Sequence, residues 1–288
     1  MLDSEIFIVG ARGQLGTALQ AQYPGAGSAD IDELDITNHD SVTRYDWNGL
    51  KVILNAAAFT NVDGAETAEG RVASWKVNAT AVGYLAEAAA AHDITLVHVS
   101  SDYVFDGTAS PHKEDEPFSP LSVYGASKAA GDLMVSAAPK YYILRTSWVI
   151  GEGKNFVRTM LDLGHRGISP TVVADQVGRL TFTTELVRAI NHLLTTGAAY
   201  GTYNISNEGT PASWAEITRS IFSIAELNNT VTDTTTAEYY AGKEGIAPRP
   251  LQSTLDLSKI QSTGFESRDW QDDLRTYITN ESQKDQQS

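Results

Sequence analysis

From its N-terminus the chain alternates short, continuous apolar runs with stretches in which apolar residues recur every three or four positions. Ile6–Val9 reads as a strand, and Leu15, Ala18, Leu19 and Gln22 follow it at helical spacing. Residues 51–56 read as a second strand, apolar enough to be buried on both faces. Residues 65–91 read as one long helical stretch, 95–99 as a strand, 123–137 as a helix and 142–149 as another buried strand. Strands and helices alternating in this way predict a parallel α/β sheet.

Beyond Gly151 the alternation loosens. Residues 155–163, 185–194 and 270–279 read as helices, 201–205 as a short strand and 248–255 as extended chain. Residues 213–222 form a further helix, opened by Ser213 with Glu216 three positions on. The polar, Gln-rich end, 281–288, reads as a flexible tail. The expected fold class is α/β: a Rossmann-type doubly wound parallel sheet with a smaller, interleaved C-terminal substrate domain. Residues 1–150, with return segments within about 171–210, form the dinucleotide-binding part on this reading. Residues 151–280 form mainly the substrate-binding part.

Composition narrows the class. With 288 residues, 42% hydrophobic and 20% charged, the chain is a globular protein large enough to bury a sizeable core. The absence of cysteine excludes disulfides, a thiolate nucleophile and Cys-ligated metal centres. A net charge of −15 argues against nucleic-acid partners and anionic membrane surfaces. No apolar run approaches the roughly 18 residues of a membrane span. Met1-Leu2-Asp3-Ser4-Glu5 lacks the basic opening of a secretory signal, so the expected location is cytoplasmic. No helix face is distinctive enough to choose between monomer and homodimer.

The first candidate site lies between the first strand and first helix, where Gly10, Gly13 and Gly16 form a GxxGxxG turn that also contains Arg12, Gln14 and Leu15. Glycines let such a turn bend sharply and approach a pyrophosphate, which the helix N-terminus then binds. An acid about 20 residues on meets the adenosine ribose in this kind of site. Asp30 has that spacing from Gly10, and Asp35-Ile36 lies at the end of the same loop, which holds four acids between 30 and 35. Arg12 is either a partner for the 2′-phosphate of NADP or a solvated loop arginine, which leaves NADPH or NADH open.

The second candidate site is Tyr124 with Lys128, four residues apart on one helix face. A neighbouring ammonium favours the phenolate and brings a tyrosine toward acid–base chemistry near neutral pH. Tyr239 and Lys243 repeat the spacing, but in a Thr-rich, Gly-interrupted stretch away from the expected cofactor core. Ser101, at the end of the 95–99 strand, is either a donor to the same carbonyl oxygen or a strand-end turn serine. Asn78 is either exposed or a residue that bends its helix and holds a water beside Lys128. The six histidines show no metal-ligand spacing, and neither a nucleophile elbow nor a P-loop lysine motif is present.

Together these residues resemble the extended short-chain dehydrogenase/reductase superfamily and, within it, the dTDP-4-dehydrorhamnose reductase family, over residues 5–280. The resemblance rests on Gly13-Gln14-Leu15-Gly16, Glu33-Leu34-Asp35-Ile36-Thr37 and Asn55-Ala56-Ala57-Ala58-Phe59-Thr60-Asn61-Val62-Asp63. It continues in Ser101-Asp102-Tyr103-Val104-Phe105, Tyr124-Gly125 with Lys128, and Arg145-Thr146-Ser147-Trp148-Val149. Gly153-Lys154-Asn155-Phe156-Val157, Asp175-Gln176-Val177-Gly178, Ser213-Trp214 and Arg249-Pro250 with Ser253 and Leu255 complete it.

The resemblance implies NAD(P)H-dependent reduction of the 4-keto group of dTDP-4-dehydro-L-rhamnose, a step toward cell-surface polysaccharide. It makes Ser101, Tyr124 and Lys128 a catalytic triad, with Asn78 as a fourth member and Lys128 also on the nicotinamide ribose. Ala56, Ala57 and Ala58 would pass under the cofactor. Thr60, Val62, Asp102, Tyr103 and Trp148 would line the sugar site, and Asn155 and Arg249 would contact the nucleotide diphosphate. Rival readings are another nucleotide-sugar 4-ketoreductase or epimerase, and a non-catalytic regulatory subunit on the same fold.

Ser101 stands where the family commonly has Thr, and Leu180 where it commonly has Pro, which predicts a looser loop beside the substrate domain. Arg12, Lys128, Lys154, Arg158, Arg179 and Arg249 fall in or beside the motifs. They predict a positively biased cleft inside an acidic shell.

Overall fold

The computed structural model describes residues 1–285. Its first half runs β1 (Ile6–Val9), α1 (Gln14–Gln22), β2 (Gly27–Ala29), α2 (His39–Arg44) and β3 (Val52–Asn55). Then come α3 (Ala68–Trp75), a π-helical turn (Lys76–Thr80), α4 (Ala81–Ala91), β4 (Thr95–Ser101), α5 (Val123–Ser136) and β5 (Tyr141–Thr146). The second half opens with β6 (Val149–Ile150), α6 (Phe156–His165), β7 (Thr171–Val173), β8 (Val177–Gly178) and β9 (Thr181–Phe182). It continues through α7 (Thr183–Thr196), β10 (Gly201–Asn204), β11 (Ala212–Ser213), α8 (Trp214–Ile224) and β12 (Thr232–Thr234). Last are α9 (Thr236–Tyr240), α10 (Ser258–Gln261) and α11 (Trp270–Asp285).

Strands β1, β3 and β4 are buried almost throughout because helices cover both faces of their sheet. The sheet is six-stranded, in the order β10-β5-β4-β3-β1-β2, and every pairing is parallel. One face packs Leu15 and Leu19 of α1 against Leu186, Ile190 and Leu193 of α7. The other packs Val82, Leu85 and Ala89 of α4 with Trp47 and Val135. The strand order reverses at β1, so a crevice opens beyond the C-terminal ends of β1 and β3. Register brings Val9, Asn55 and His98 side by side there, with Ser101 opposite Thr146.

A separate apolar core unites β6, α6, β9, α8 and α11 through Val157, Leu161, Phe182, Ile217, Ile221, Trp270 and Leu274. The chain enters this region after β5, returns through α7 and β10 to the large sheet, and leaves again. The extended segment near 250 then bridges the two regions, with Gln252 pairing to Val177 and Leu255 to His112.

Several expectations need correction. The 65–91 stretch is not one α-helix: a 3-10 turn (Gly64–Glu66) precedes α3, and the π-helical turn separates α3 from α4. The 142–149 strand stops at Thr146, because Trp148 takes a left-handed backbone (φ 49°) that leaves the ladder. The tail is helical through Asp285, with Glu281 held 2.5 Å from Arg158; positions 286–288 of that expectation lie outside the described residues. The short β2, Gly-Ser-Ala, and the polar α2 carried no apolar pattern to reveal them. Leu180 does not loosen its loop: it is fully buried in the second core, and the next amide, Thr181 N–H, donates to Trp148 O at 3.1 Å. Ser213 caps α8 as expected, in a reciprocal capping box with Glu216.

Candidate active site

The glycine turn is packed too tightly for side chains. Gly10 has φ +78°, and a Cβ there would lie 2.6 Å from Ala57 N; one at Gly16 would lie 2.1 Å from Gly10 O. The turn therefore rests directly on the loop after β3, where Ala56 N–H donates to Val9 O at 2.9 Å. Gly13 is the N-cap of α1 and offers no side-chain cap, so the first amides of α1 point outward without intrahelical partners. Gln14 Oε1 is buried there and unpartnered. The close-packed glycines and the free amides fit a dinucleotide pyrophosphate over the turn.

On one side of the turn lies a cavity of about 480 Å³ lined by Gly10, Arg12, Gly13, Asp30, Asp35, Ile36 and Ala56–Ala58, together with Ile31, Phe59 and Val77. Asp30 accepts the N–H groups of Arg12 (3.0 Å) and Ile31 (2.9 Å), which fixes its carboxylate at the end of β2. The Arg12 guanidinium is exposed and already paired with Asp32 (2.7 Å) and Glu33 (2.5 Å). Asp35 accepts from Thr37 N–H and Oγ1–H at 2.9 and 2.6 Å. The adenosine end thus combines an acid at the ribose spacing with a neutralised arginine.

On the other side, a cavity of about 470 Å³ shares Gly13, Ala56 and Ala58 with the first and adds Gln14, Leu15, Thr60, Val62, Ser101, Asp102, Tyr103, Tyr124, Lys128 and Trp148. Helix α5 is started for this purpose by Ser122, which caps Gly125 N–H at 3.1 Å, and by Glu66, which accepts Val123 N–H at 2.9 Å. Ser101 Oγ donates to Asp102 Oδ1 and accepts Tyr103 N–H, both at 3.1 Å. Burial pushes Tyr124 up to about 12, against a lowering contribution from Ser101. The phenol is therefore protonated at neutral pH, which is the form a proton donor needs.

Lys128 is fully buried, which its spacing from Tyr124 does not reveal. Its buried Nζ donates to Val99 O (2.7 Å) and faces His98 Nε2 (3.4 Å); burial pushes it down to about 8, opposed by Asp132. Tyr124 shows no lowering from Lys128. Asp102 is buried, which lifts it to about 6. Trp148 presents its ring to the cavity while stacking on Trp214, so it is both packing and lining.

Other predicted residues fall elsewhere. Asn78 is buried in the π-helical turn, which turns its amide onto Phe59 N–H (2.9 Å), Phe59 O (3.1 Å) and Ser127 Oγ (3.0 Å). It ties the loop after β3 to α5 and is not exposed. Asn155 is not among the residues lining either cavity; its amide caps α6 at Arg158 N–H and donates to Gly151 O and Tyr277 Oη. Arg249 pairs with Asp63 at 2.9 Å beneath the Tyr240 ring. Tyr239 lies in α9 and Lys243 past its end, the amine 4.0 Å over the Tyr239 ring, so the two do not share a helix face.

Only two of the six cations expected to bias the cleft are among the residues lining its cavities. Of the six cations, Lys128 lines the inner cavity and Arg12 the outer. Arg158 pairs with Glu152 and Glu281, and Arg179 is buried against Leu255 O. The backbone amides of the glycine turn are further candidates for holding an anion. Residues that sequence reasoning did not assign to the site include Phe59 and Thr146, which lie inside matched motifs, and Val77, Val99, Ser100 and Leu186, which no motif marks.

A dinucleotide crevice ending in serine, tyrosine and lysine places the chain in the class of short-chain dehydrogenase/reductases. Residues 4–283 match the family described as RmlD substrate binding domain, and the chain belongs to that family. It is 40% identical to the dTDP-4-dehydrorhamnose reductase of Aggregatibacter actinomycetemcomitans, over 94% of this chain and 97% of that one. Its fold superposes on the Clostridium acetobutylicum dTDP-4-dehydrorhamnose reductase with a TM-score of 0.89, at 36% identity over 96% of this chain and 99% of that one. The Bacillus anthracis enzyme of the same name, solved in complex with NADP, gives 0.87 at 35% identity, covering 96% and 98%.

Proposed function

We propose that the protein reduces the 4-keto group of dTDP-4-dehydro-L-rhamnose to an alcohol, using NADPH or NADH. The observation that carries this reading is the shared boundary of the two cavities. Ala56, Ala58 and Gly13 line both, so a dinucleotide laid over the turn would end beside Ser101 and Tyr124. When bound, that cofactor supplies the hydride.

The chain supplies the rest. Tyr124, kept protonated by burial, gives its proton to the oxygen that becomes an alkoxide. Ser101 positions that oxygen; its own proton is engaged by Asp102, so donation to the substrate requires the hydroxyl to rotate. Thr60, Val62, Tyr103 and the Trp148 face bound the sugar. Arg249, held by Asp63, serves the nucleotide end. Residues 1–150 with the α7–β10 return act as the cofactor part and the second core as the substrate part. None of the described helices is long and apolar enough to cross a membrane, and the reading carries a cytoplasmic location with it.

The experiment follows NADPH and NADH oxidation with dTDP-4-dehydro-L-rhamnose and with other 4-keto nucleotide sugars. Tyr124→Phe is expected to lose at least about a hundredfold in turnover while still binding cofactor. Near-wild-type turnover would remove Tyr124 from this role. An absence of oxidation with every sugar would leave a binding protein.

A further inference from the structure

We propose that His98 is a positioning residue that sets the protonation of Lys128: Asn55 fixes it as the Nε2–H tautomer, and it turns that donor toward the amine.

The argument begins at Asn55, the buried last residue of β3. Its Oδ1 accepts Ala57 N–H at 3.1 Å, which leaves Nδ2 facing His98 Nδ1 at 3.0 Å. An amide nitrogen only donates, so Nδ1 must be bare. A neutral imidazole with a bare Nδ1 carries its proton on Nε2, and an imidazolium would set N–H against N–H. That Nε2 lies 3.4 Å from Lys128 Nζ, and a Cβ on Gly131 would come within 3.6 Å of it, so this ring edge faces α5.

An ammonium has three donors and no lone pair, and would meet the Nε2–H donor to donor. An uncharged amine accepts that proton with its lone pair and still donates to Val99 O. The surrounding charges do not cancel the effect. Asp132, one turn along α5, favours the ammonium but is paired with Arg145 on β5 at 2.9 Å. Tyr124 lies one turn back, Glu66 sits at the start of α5, and Asp102 follows β4. Burial holds His98 well below the usual histidine range, consistent with a neutral ring. One line of hydrogen bonds therefore runs from the Ala57 amide, beneath the cofactor cavity, to the lysine.

The state of the lysine can be read without turnover; its use in catalysis rests on the reductase reading. NMR of the full-length protein with labelled histidine and lysine would assign the Lys128 side chain by its loss in Lys128→Met. In the wild type, His98 is expected to keep a bare Nδ1 and a protonated Nε2 between about pH 6 and about pH 9. In His98→Gln, whose oxygen can accept from an ammonium, the Lys128 midpoint is expected to rise by at least about one pH unit. The alkaline limb of kcat/KM for the keto sugar should move with it. A protonated Nδ1 in the wild type, or an unmoved Lys128 midpoint in the variant, overturns the proposal. A purely structural role would lower turnover and leave the limb in place. Absent turnover in the wild type would count against the reductase reading and leave the lysine titration to decide this one.

Discussion

Trp148 lies face to face with Trp214, their ring centroids 3.8 Å apart and their planes 21° from parallel. Trp148 holds a left-handed backbone that a bulky residue adopts only when its surroundings enforce it. Behind it, Gly178 leaves room: a Cβ there would sit 3.2 Å from the indole. The second core thus sets the wall of the sugar cavity through one stacked pair. Trp214→Ala should raise KM for the nucleotide sugar about five- to tenfold, with KM for cofactor unchanged. Steady-state kinetics with each substrate varied would check this, and equal changes in both constants would contradict it.

Asp102 carries a stability cost with a definite sign. Its carboxyl rises from 3.8 to about 6 on burial, worth about 3 kcal/mol at 1.36 kcal/mol per unit. Below about pH 4 both folded and unfolded chains hold the proton; as pH rises through 6 the folded state must bury a charge, and stability is lost. Asp102→Asn keeps an acceptor for Ser101 and removes that charge. The variant should be more stable than wild type by up to about 3 kcal/mol near pH 8, the gap closing toward about pH 4. Urea unfolding at the two pH values measures it.

Gly16 has no room for a side chain, its imagined Cβ lying only 2.1 Å from Gly10 O and 2.7 Å from Ala11 O. Backbone cannot move aside as a flexible side chain can. Gly16→Ala should push α1 away from the turn and weaken NADPH binding by at least about tenfold. Fluorescence titration reads the affinity, and wild-type binding would show that the turn yields more readily than this packing allows.

Arg12 is exposed, and its pairs with Asp32 and Glu33 contribute little to stability. A phosphate on the adenosine ribose can take the guanidinium from them. Arg12→Ala is expected to raise KM for NADPH by at least about tenfold, with a smaller change for NADH and an unchanged melting temperature. An equal rise for both cofactors would show that Arg12 does not sense the 2′-phosphate.

Some of this was legible in the residue order because the chemistry is local. The glycine turn, the Tyr124/Lys128 helix face and the Ser213–Glu216 box each lie within a few positions, and each folds as its spacing requires. What escaped depends on distant partners. The resemblance makes Asn155 a diphosphate contact, whereas its side chain caps α6, and Tyr277, 122 positions away, completes its place in the fold. The spacing of Tyr124 and Lys128 does not show that the lysine is buried, or that the ring of His98, on β4, stands 3.4 Å from its amine. The cations of the second half are drawn off by Glu152, Glu281 and Asp63, pairings that a charge count does not contain.

The placement of β10 bears on how the chain is made. β5 is paired with β4 on one side, but its other neighbour is β10, more than fifty residues later in the chain. The α7 helix that covers Leu15 and Leu19 also follows β5, beginning at Thr183. A nascent chain that has emerged only as far as β5 therefore carries an open parallel edge and an uncovered apolar face. Completion of the nucleotide-binding sheet during synthesis must wait for residues that lie beyond the first part of the other core.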